Sequence, residues 1–419
     1  MTDPTHQIEQ ATTRGGLPIS PSMGPALQGT QLLGPSTLVD RRVVLITFLS
    51  VLLAIASAAI AWALLNLIVL ITNISFHGVF SRFVGGGLGA PNAMTLGPWV
   101  IVIPVIGGII VGFMARYGSA GIRGHGIPEA MEQVLTRQSR IPARLTFLKP
   151  LSAAVAIGTG GPFGAEGPII ATGGALGSLI GQLLKTTADE RKTLLAAGAA
   201  AGMAATFGSP VSAALLAIEL LLFEFRPRSF IPVALASTTA AGMRFVFNLP
   251  YPLFKMPELH AVPEFSLLIY ILIGAIVGVV SVFVTWAVYA VEDSFDLLPV
   301  HWMWWPAIGA VAVGVIGYFA PATLGVGYDN ITHAISGFDH ISQGATGMLV
   351  VKVAAMLCVL KFVSWAIALG SGTSGGTLAP LFTIGGTLGF LLGKAAVYLV
   401  PAAHVEPRVA ALVGMAALF

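Results

Sequence analysis

Long apolar runs, separated by short stretches rich in glycine and proline, make up most of the chain after residue 38. A helix needs about 20 apolar residues to cross the roughly 30 Å hydrocarbon core of a bilayer. Runs of this length recur along the whole chain, and examples are 43–72, 98–114, 267–290, 303–319 and 346–370. The pattern predicts an all-α integral membrane protein that crosses the bilayer many times.

Composition supports this prediction and excludes several classes of protein. Of the 419 residues, 56% are hydrophobic and 9% are charged, whereas a soluble globular chain carries roughly 25% charged residues. The net charge of +3 is too small and too scattered for a nucleic-acid partner. The one cysteine, Cys358, lies in an apolar segment, so the chain has no disulfide framework.

The first 38 residues are polar and rich in Pro, Thr, Gln and Gly. They contain no apolar region of the kind that marks a cleaved signal peptide. We predict that residues 1–38 form a disordered tail. Arg41 and Arg42 stand at the start of the first apolar run, and such basic residues favour the cytoplasmic side of a membrane. We therefore place the tail in the cytoplasm.

An internal repeat relates two parts of the chain. A shift of 212 residues aligns 149–207 with 361–419 without a gap and gives 20 identities in 59 positions. The matched pairs include Lys149 with Lys361, Gly164 with Gly376, Pro168 with Pro380 and, at a second offset, Gly124 with Gly325 and Gly126 with Gly327. Either the duplication only builds a scaffold, or the two halves enclose a transport site. We favour transport, because the repeated segments break helices, and irregular backbone at membrane depth is tolerated only inside protein or beside a water-filled cavity.

The repeat also predicts how the membrane region divides. We assign 39–250 to the first repeat and 251–419 to the second. In the first half, the segment GMAATF at 202–207 is followed by another apolar stretch that reaches about residue 248. The matching segment at 414–419 has no such continuation, so we expect the second repeat to lack the counterpart of roughly forty residues.

Three glycine-rich loops each lead into a helix start that is marked by proline. They read GHGIPEA at 124–130, GGPFGAEGPII at 160–170 and GTSGGTLAPLF at 372–382. Proline suits the first turn of a helix, and glycine lets the preceding backbone come close to a ligand. A helix N-terminus offers unpaired N–H groups and a partial positive charge, which together bind anions. Three such ends that meet within the membrane would bind an anion less tightly than a fixed cation, so the ion could also leave.

Glu166 is a lone carboxylate in the second of these loops, among apolar and small residues. An ionisable group at membrane depth is costly and is a functional candidate by default. Its place at a helix start is also where a permeating anion would sit, so the carboxylate and the ion compete for one site. The alternative is an ordinary N-terminal cap. We favour a gate that opens when Glu166 is protonated or displaced.

The three loops resemble the signature segments of the CLC chloride channels and chloride/proton exchangers. The family patterns GSGIPE, GREGP and GxFxP read GHGIPE, GAEGP and GTLAP here, and 194–219 is similar to the dimer-side helices of the family. The resemblance covers 43–419 and implies a homodimer with inverted repeats, tilted and broken helices, and one anion pathway per subunit. It implies chloride or another small monovalent anion and membrane lipid as partners. It further implies no cofactor, no metal and no enzymatic activity, and we expect a multi-pass protein of a bacterial inner membrane.

Carried over by position, the resemblance makes Glu166 the gating residue. It also implies a central anion site, to which we assign His125, Gly126, Ile127, Gly164, Gly167, Thr377 and Leu378. In this interpretation the backbone amides of Thr377 and Leu378 contact the ion.

The sequence departs from the family pattern near this site. His125 stands where the family usually has a serine hydroxyl, and imidazole donates one hydrogen bond when neutral and two when charged. His125 therefore either makes flux depend on pH near neutrality or only replaces the hydroxyl donor. The fluoride-selective branch also departs from serine here, which leaves fluoride or nitrate open as the preferred ion.

Ala165 replaces the basic residue that usually precedes the gate, and a tyrosine that closes the inner end of the path in many members is expected beyond Phe419.

Proton coupling is a second point of departure. Exchangers of the family place an inner proton-relay glutamate just after the carboxylate equivalent to Glu219, whereas this chain has Leu220, as channels do. The resemblance thus favours channel-like transport, with a chloride/proton antiporter as the alternative. Glu219 and Glu224 are the candidates for a proton path.

Two lysines, Lys149 and Lys361, occupy equivalent positions of the repeat. Either they supply a diffuse positive potential, or their side chains snorkel to the membrane interface. The segment 116–149 is basic as a whole, and we predict that it forms a cytoplasmic surface that raises the local anion concentration.

A membrane-embedded hydrolase is the alternative from a different class of protein. Ser371 or Ser374 could serve as the nucleophile, with His125, His333 or His340 as the base. The sequence places no base near either serine, which makes this the remote alternative.

Overall fold

The structure is a computed structural model that describes residues 40–81, 96–184, 186–249, 253–259, 263–338 and 347–419. The predicted tail at 1–38 lies outside these residues. The chain divides after Leu45 into an N-terminal unit and a compact unit, Ile46–Phe419. The loops and the carboxylate singled out in the sequence all belong to the compact unit.

Within the described ranges the chain folds into fourteen α-helices and contains no β-strand. The helices that belong to the predicted first repeat are α1 Arg41–Thr72, α2 Trp99–Phe113, α3 Ile127–Thr136, α4 Leu145–Gly158, α5 Glu166–Leu183, α6 Ala188–Phe207, α7 Pro210–Ala217 and α8 Pro227–Val246. Those of the predicted second repeat are α9 Glu264–Asp296, α10 Trp305–Phe319, α11 Tyr328–Ile335, α12 Gly347–Gly370, α13 Leu378–Leu399 and α14 Pro407–Leu418. The all-α prediction is confirmed.

Seven helices of the described chain are long and apolar enough to cross a membrane. Each of the five apolar runs in the sequence corresponds to one of them, namely α1, α2, α9, α10 and α12, where the span of α2 continues through a π-helical turn to Gly118 and that of α10 begins with a 3₁₀ turn at Trp302. The other two are α8 and α13. Several of the remaining helices are short because a glycine-rich loop interrupts the apolar run, and these interruptions position the candidate site.

The helices of the two halves correspond in order and in position. Lys149 in α4 and Lys361 in α12 are both buried, and α5 and α13 begin at residues that the repeat pairs. The N–H of Gly164 donates to the carbonyl of Gly376 at 2.9 Å, and the N–H of Gly376 donates back to Gly164 at 2.9 Å. An antiparallel, reciprocal contact between equivalent residues is the geometry that a two-fold relation between the halves produces. The predicted inverted repeat is confirmed, whereas the boundary near residue 250 stays a prediction.

Most glycines outside the loops serve helix packing. A Cβ atom at Gly173 in α5 would lie 2.2 Å from the carbonyl oxygen of Gly198 in α6. In the second half, a Cβ atom at Gly385 in α13 would lie 2.5 Å from the carbonyl oxygen of Gly414 in α14. Membrane helices associate closely through such small residues. The same device therefore holds α5 to α6 and α13 to α14.

Candidate functional site

The three glycine-rich loops converge at the start of α5. A Cβ atom at Gly167 would lie 2.2 Å from the carbonyl oxygen of His125 and 2.9 Å from the Cα of Gly376. Gly126 has φ of 98°, a conformation that suits glycine, and a Cβ there would lie 2.5 Å from the carbonyl oxygen of Gly167. Only residues without a side chain let the backbones of all three loops approach this closely.

Three helices begin at this point of convergence. They are α3 at Ile127, α5 at Glu166 and α13 at Leu378, and each has a proline within its first three residues. The first-turn N–H groups of a helix have no partner within that helix. The arrangement therefore brings the N-terminal ends of three helices, with their peptide dipoles, close together.

Two of the predicted anion-binding residues use their amides elsewhere in this structure. The N–H of Gly126 donates to the carboxylate of Glu129 at 2.6 Å. The N–H of Gly164 is engaged in the bridge to Gly376. Both glycines thus shape the site, and the amides at Gly167, Thr377 and Leu378 are the better candidates for contact with an ion.

The carboxylate of Glu166 is completely buried between the two halves. Its Oε1 accepts a hydrogen bond of 2.8 Å from the hydroxyl of Tyr328, the first residue of α11. Its Oε2 makes no hydrogen bond within the described part of the chain and lies against the backbone, 3.2 Å from where a Cβ on Gly376 would be. The side chain therefore reaches across to the second half rather than only capping its own helix.

Sequence reasoning missed Tyr328. The hydroxyl and the carboxylate lie 162 positions apart, and no motif joins them. The weaker repeat offers the only signal, because Gly325 and Gly327 match Gly124 and Gly126, so Tyr328 is the counterpart of Ile127 at the other half-helix start.

Lys149 and Lys361 bind the loops and do not snorkel to the interface, a contact that neither interpretation from the sequence contained. The Nζ of Lys149 donates to the carbonyls of Ile122, Arg123 and Gly124 at 2.9, 3.1 and 3.0 Å. In the second half, the Nζ of Lys361 donates to the carbonyls of Thr323 and Gly325 at 2.9 and 3.0 Å. Each buried ammonium satisfies carbonyls that no helix pairs, and so fixes the loop that precedes a half-helix.

A match to a protein-family model identifies the family of the chain. The model of the voltage gated chloride channel family matches residues 107–419. The chain belongs to the voltage gated chloride channel (CLC) family. With this membership and its apolar helices, it is an integral, multi-pass membrane protein.

One curated relative is the chloride channel protein CLC-f of Arabidopsis thaliana. It is 30% identical over 343 residues, which cover 76% of this chain and 42% of the relative. The chain thus spans less than half the length of that protein.

Solved structures share the fold. The X-ray crystal structure of a slow cyanobacterial Cl⁻/H⁺ antiporter matches with a TM-score of 0.75 and 20% identity, over 91% of this chain and 85% of the other. A CLC-type fluoride/proton antiporter matches with a TM-score of 0.70 and 20% identity, over 90% of this chain and 86% of the other. Identities this low carry over the CLC fold and not the transported ion.

At the position where CLC exchangers have the inner glutamate, the structure places an apolar contact. Leu220 and Ile127 line a gap of about 10 Å³ that also touches Ile170. Glu219, the residue directly before Leu220, is exposed. Glu224 accepts a hydrogen bond of 2.6 Å from Ser229 and pairs with Arg226 at 3.4 Å. Neither carboxylate lines this apolar gap.

In a second region of the CLC fold, His125 and Thr377 line a cavity whose walls are partly polar and partly apolar. This cavity has a volume of about 210 Å³, and one wall is a face of α9. The polar residues on that face, spaced four, four and three apart, are Ser281, Thr285, Tyr289 and Glu292. The Nδ1 of His125 is buried and has no hydrogen-bond partner among the described residues. Polar side chains on one face of an apolar membrane helix are typical of a water-filled route.

The serines of the hydrolase alternative are hydrogen-bonded within the loop region. The hydroxyl of Ser371 donates to the carbonyl of Ala368 at 2.6 Å and pairs with Thr373 at 2.8 Å. Ser374 accepts from Ser152 at 3.1 Å. His340 lies outside the described residues. These bonds give both serines a role in holding the loop, and no base is among their partners.

Proposed function

We propose that the chain forms a transmembrane pathway for small monovalent anions, with chloride the first candidate, and that Glu166 is its gate. The observation that carries the proposal is the buried carboxylate of Glu166 at the point where three helix N-termini meet. Backbone amides and helix dipoles attract an anion here without a full positive charge. An anion bound in this way can also leave.

The gate works by competition for one place. When the carboxylate is ionised and seated against the loops, it occupies the position that favours an anion and repels a second negative charge. Protonation removes the repulsion, and rotation of the side chain frees the space. Either event lets an ion contact the amides of Gly167, Thr377 and Leu378, with His125 as a further donor.

Flux from liposomes tests this function. Full-length protein is reconstituted with chloride, fluoride and nitrate gradients, and ion release is followed with selective electrodes. We expect Glu166→Gln to pass anions without the pH dependence of the wild type, because a neutral amide cannot be titrated. The control is Glu264→Gln, an exposed carboxylate at the start of α9. Loss of all anion flux in folded Glu166→Gln protein would contradict the gate assignment.

Proton-coupled exchange is a second candidate, supported by the polar face of α9. Leu220 argues for a channel, but Glu292 lines the same cavity as His125 and could exchange protons there. If transport is coupled, Glu292→Gln abolishes proton movement driven by a chloride gradient while chloride flux persists. Asp293→Asn is the matched control, because this neighbour does not line the cavity. Wild-type chloride flux without any proton movement would rule out exchange.

We also propose a homodimer in a bacterial inner membrane, following the family resemblance. The short helix α7 leaves Val211 and Leu215 exposed on its surface, which is consistent with a partner on that face. Subunit counting by single-molecule photobleaching of the labelled, reconstituted protein tests the stoichiometry.

A further inference from the structure

Tyr328 and Glu166 make a hydrogen bond that joins the two halves of the molecule at the gate. The phenol donates to Oε1 at 2.8 Å. A hydroxyl that donates to a carboxylate stabilises its ionised form, and such charge-assisted bonds are about twice as strong as neutral ones. The donor therefore favours the seated, negatively charged state of the carboxylate.

The position of Tyr328 is held by its own half. Gly327 precedes it with φ of 72°, so the chain turns sharply into α11. Lys361 anchors the loop just before this turn through the carbonyls of Thr323 and Gly325. The ring of Phe254 packs against the ring of Tyr328 edge to face, at 5.7 Å between centroids. The hydroxyl is thus presented by a fixed support and not by a free loop.

Two cations of the described chain influence the pair electrostatically. The positive charge of Lys361 on α12 acts on Glu166, and that of Arg244 on α8 acts on Tyr328. Both cations already serve backbone carbonyls: Lys361 those of its loop, and Arg244 that of Ala205 at 2.6 Å. Tyr328 is the side chain of the described residues that is seen to donate a hydrogen bond to the carboxylate.

We propose that Tyr328 is a positioning residue that holds the gate closed, so that the second half of the molecule sets how often the pathway opens. The inference rests on the proposed function of Glu166 and adds its regulation. Tyr328 itself carries no ion in this scheme. It acts only through Glu166, and this distinguishes it from a residue that lines the path.

The test is a double-mutant cycle in liposomes. Tyr328→Phe removes only the hydroxyl, and we expect anion flux at pH 7 to rise roughly tenfold, as the loss of a hydrogen bond to a charged group predicts. The flux should also begin to rise at a higher pH than in the wild type, because the ionised state has lost its donor. In a Glu166→Ala background, which has no side-chain acceptor for the hydroxyl, the same substitution should leave flux unchanged.

Two further proteins complete the test. Tyr398→Phe, at an exposed position near the end of α13, controls for the loss of a phenol elsewhere. A 3-fluorotyrosine at position 328 keeps the shape of the ring and makes the hydroxyl a stronger donor, so it should lower flux even if Tyr328→Phe folds poorly.

The outcomes separate the two claims. If wild-type protein passes no anion, the proposed function itself fails. If the wild type is active and Tyr328→Phe matches it in flux and pH profile, the positioning role is overturned. An equal rise in the Glu166→Ala background would also overturn it, because Tyr328 would then act on the path and not through the gate.

Discussion

The two halves of the molecule share their backbone devices and differ in the side chains that meet at the centre. Each half has a buried lysine that binds a glycine loop, and each contributes one glycine to the Gly164–Gly376 bridge. At the equivalent centre positions of the repeat, however, Glu166 corresponds to Leu378, and Tyr328 corresponds to Ile127. The backbone symmetry supplies donors for an anion, and the broken side-chain symmetry supplies the gate.

The largest expected effect on stability comes from replacing the buried lysine that each half has at the equivalent position. Lys149→Met keeps the length of the side chain but leaves three carbonyls without this donor, and we expect it to lower the free energy of unfolding by about 3 kcal/mol or more. Lys361→Met should cost less, because that ammonium serves two carbonyls. Thermal unfolding in detergent measures both. Lys255→Met, at an exposed position, is the control.

A reversed order of the two lysines, or no effect from either, would contradict the role assigned to their carbonyl contacts. The measurement is informative even without a flux assay, since it reports on the scaffold alone.

The second prediction separates the two glycines of the bridge. A Cβ at Gly376 would lie 2.7 Å from the carbonyl oxygen of Gly164 and 2.8 Å from the N of Gly167, so Gly376→Ala presses on backbone. We expect it to destabilise the fold by about 1 to 3 kcal/mol. A Cβ at Gly164 would instead meet the carboxylate of Glu166 at 1.7 Å, and a side chain can move away.

We therefore expect Gly164→Ala to displace the gate and raise anion flux roughly tenfold, since the carboxylate loses its hydrogen bond to Tyr328. Flux and thermal stability are measured on both variants. The comparison breaks down if the two substitutions have the same effect on both quantities.

The smallest expected effect concerns His125. Serine also offers a hydrogen-bond donor, so we expect His125→Ser and the wild type to show superimposable pH profiles of chloride flux. A wild-type profile that changes near neutrality and becomes flat in the variant would show that the imidazole senses pH. Electrode recordings of chloride release between about pH 5 and 8 cover the range in which histidine titrates.

The sequence predicts the scaffold well because its signals are local and repeated. Runs of apolar residues mark the spanning helices, and the ungapped repeat pairs Gly164 with Gly376 before any contact is known. Glu166 is conspicuous as a carboxylate among apolar residues. All three can be recognised from the order of residues alone, without knowledge of any contact.

The contacts that close the gate are not local, and for that reason the sequence does not reveal them. The weaker repeat places Tyr328 at a half-helix start but does not name Glu166 as its partner, and a tyrosine beside a membrane helix more often lies at an interface. The contacts of the lysines were missed for a related reason. A lysine in an apolar run is usually expected to snorkel to the interface or to supply a positive potential. Only the fold of the preceding loop brings carbonyls to Lys149 and Lys361.

The reciprocal bridge between Gly164 and Gly376 has a consequence for biogenesis. The two glycines are separated by 212 residues, which a ribosome adds in on the order of 10 to 40 s. During that interval the loop of the first half has no partner for these peptide groups, and lipid offers none. The reciprocal bridge can therefore form only after the second loop has been synthesised, and the central site is completed late.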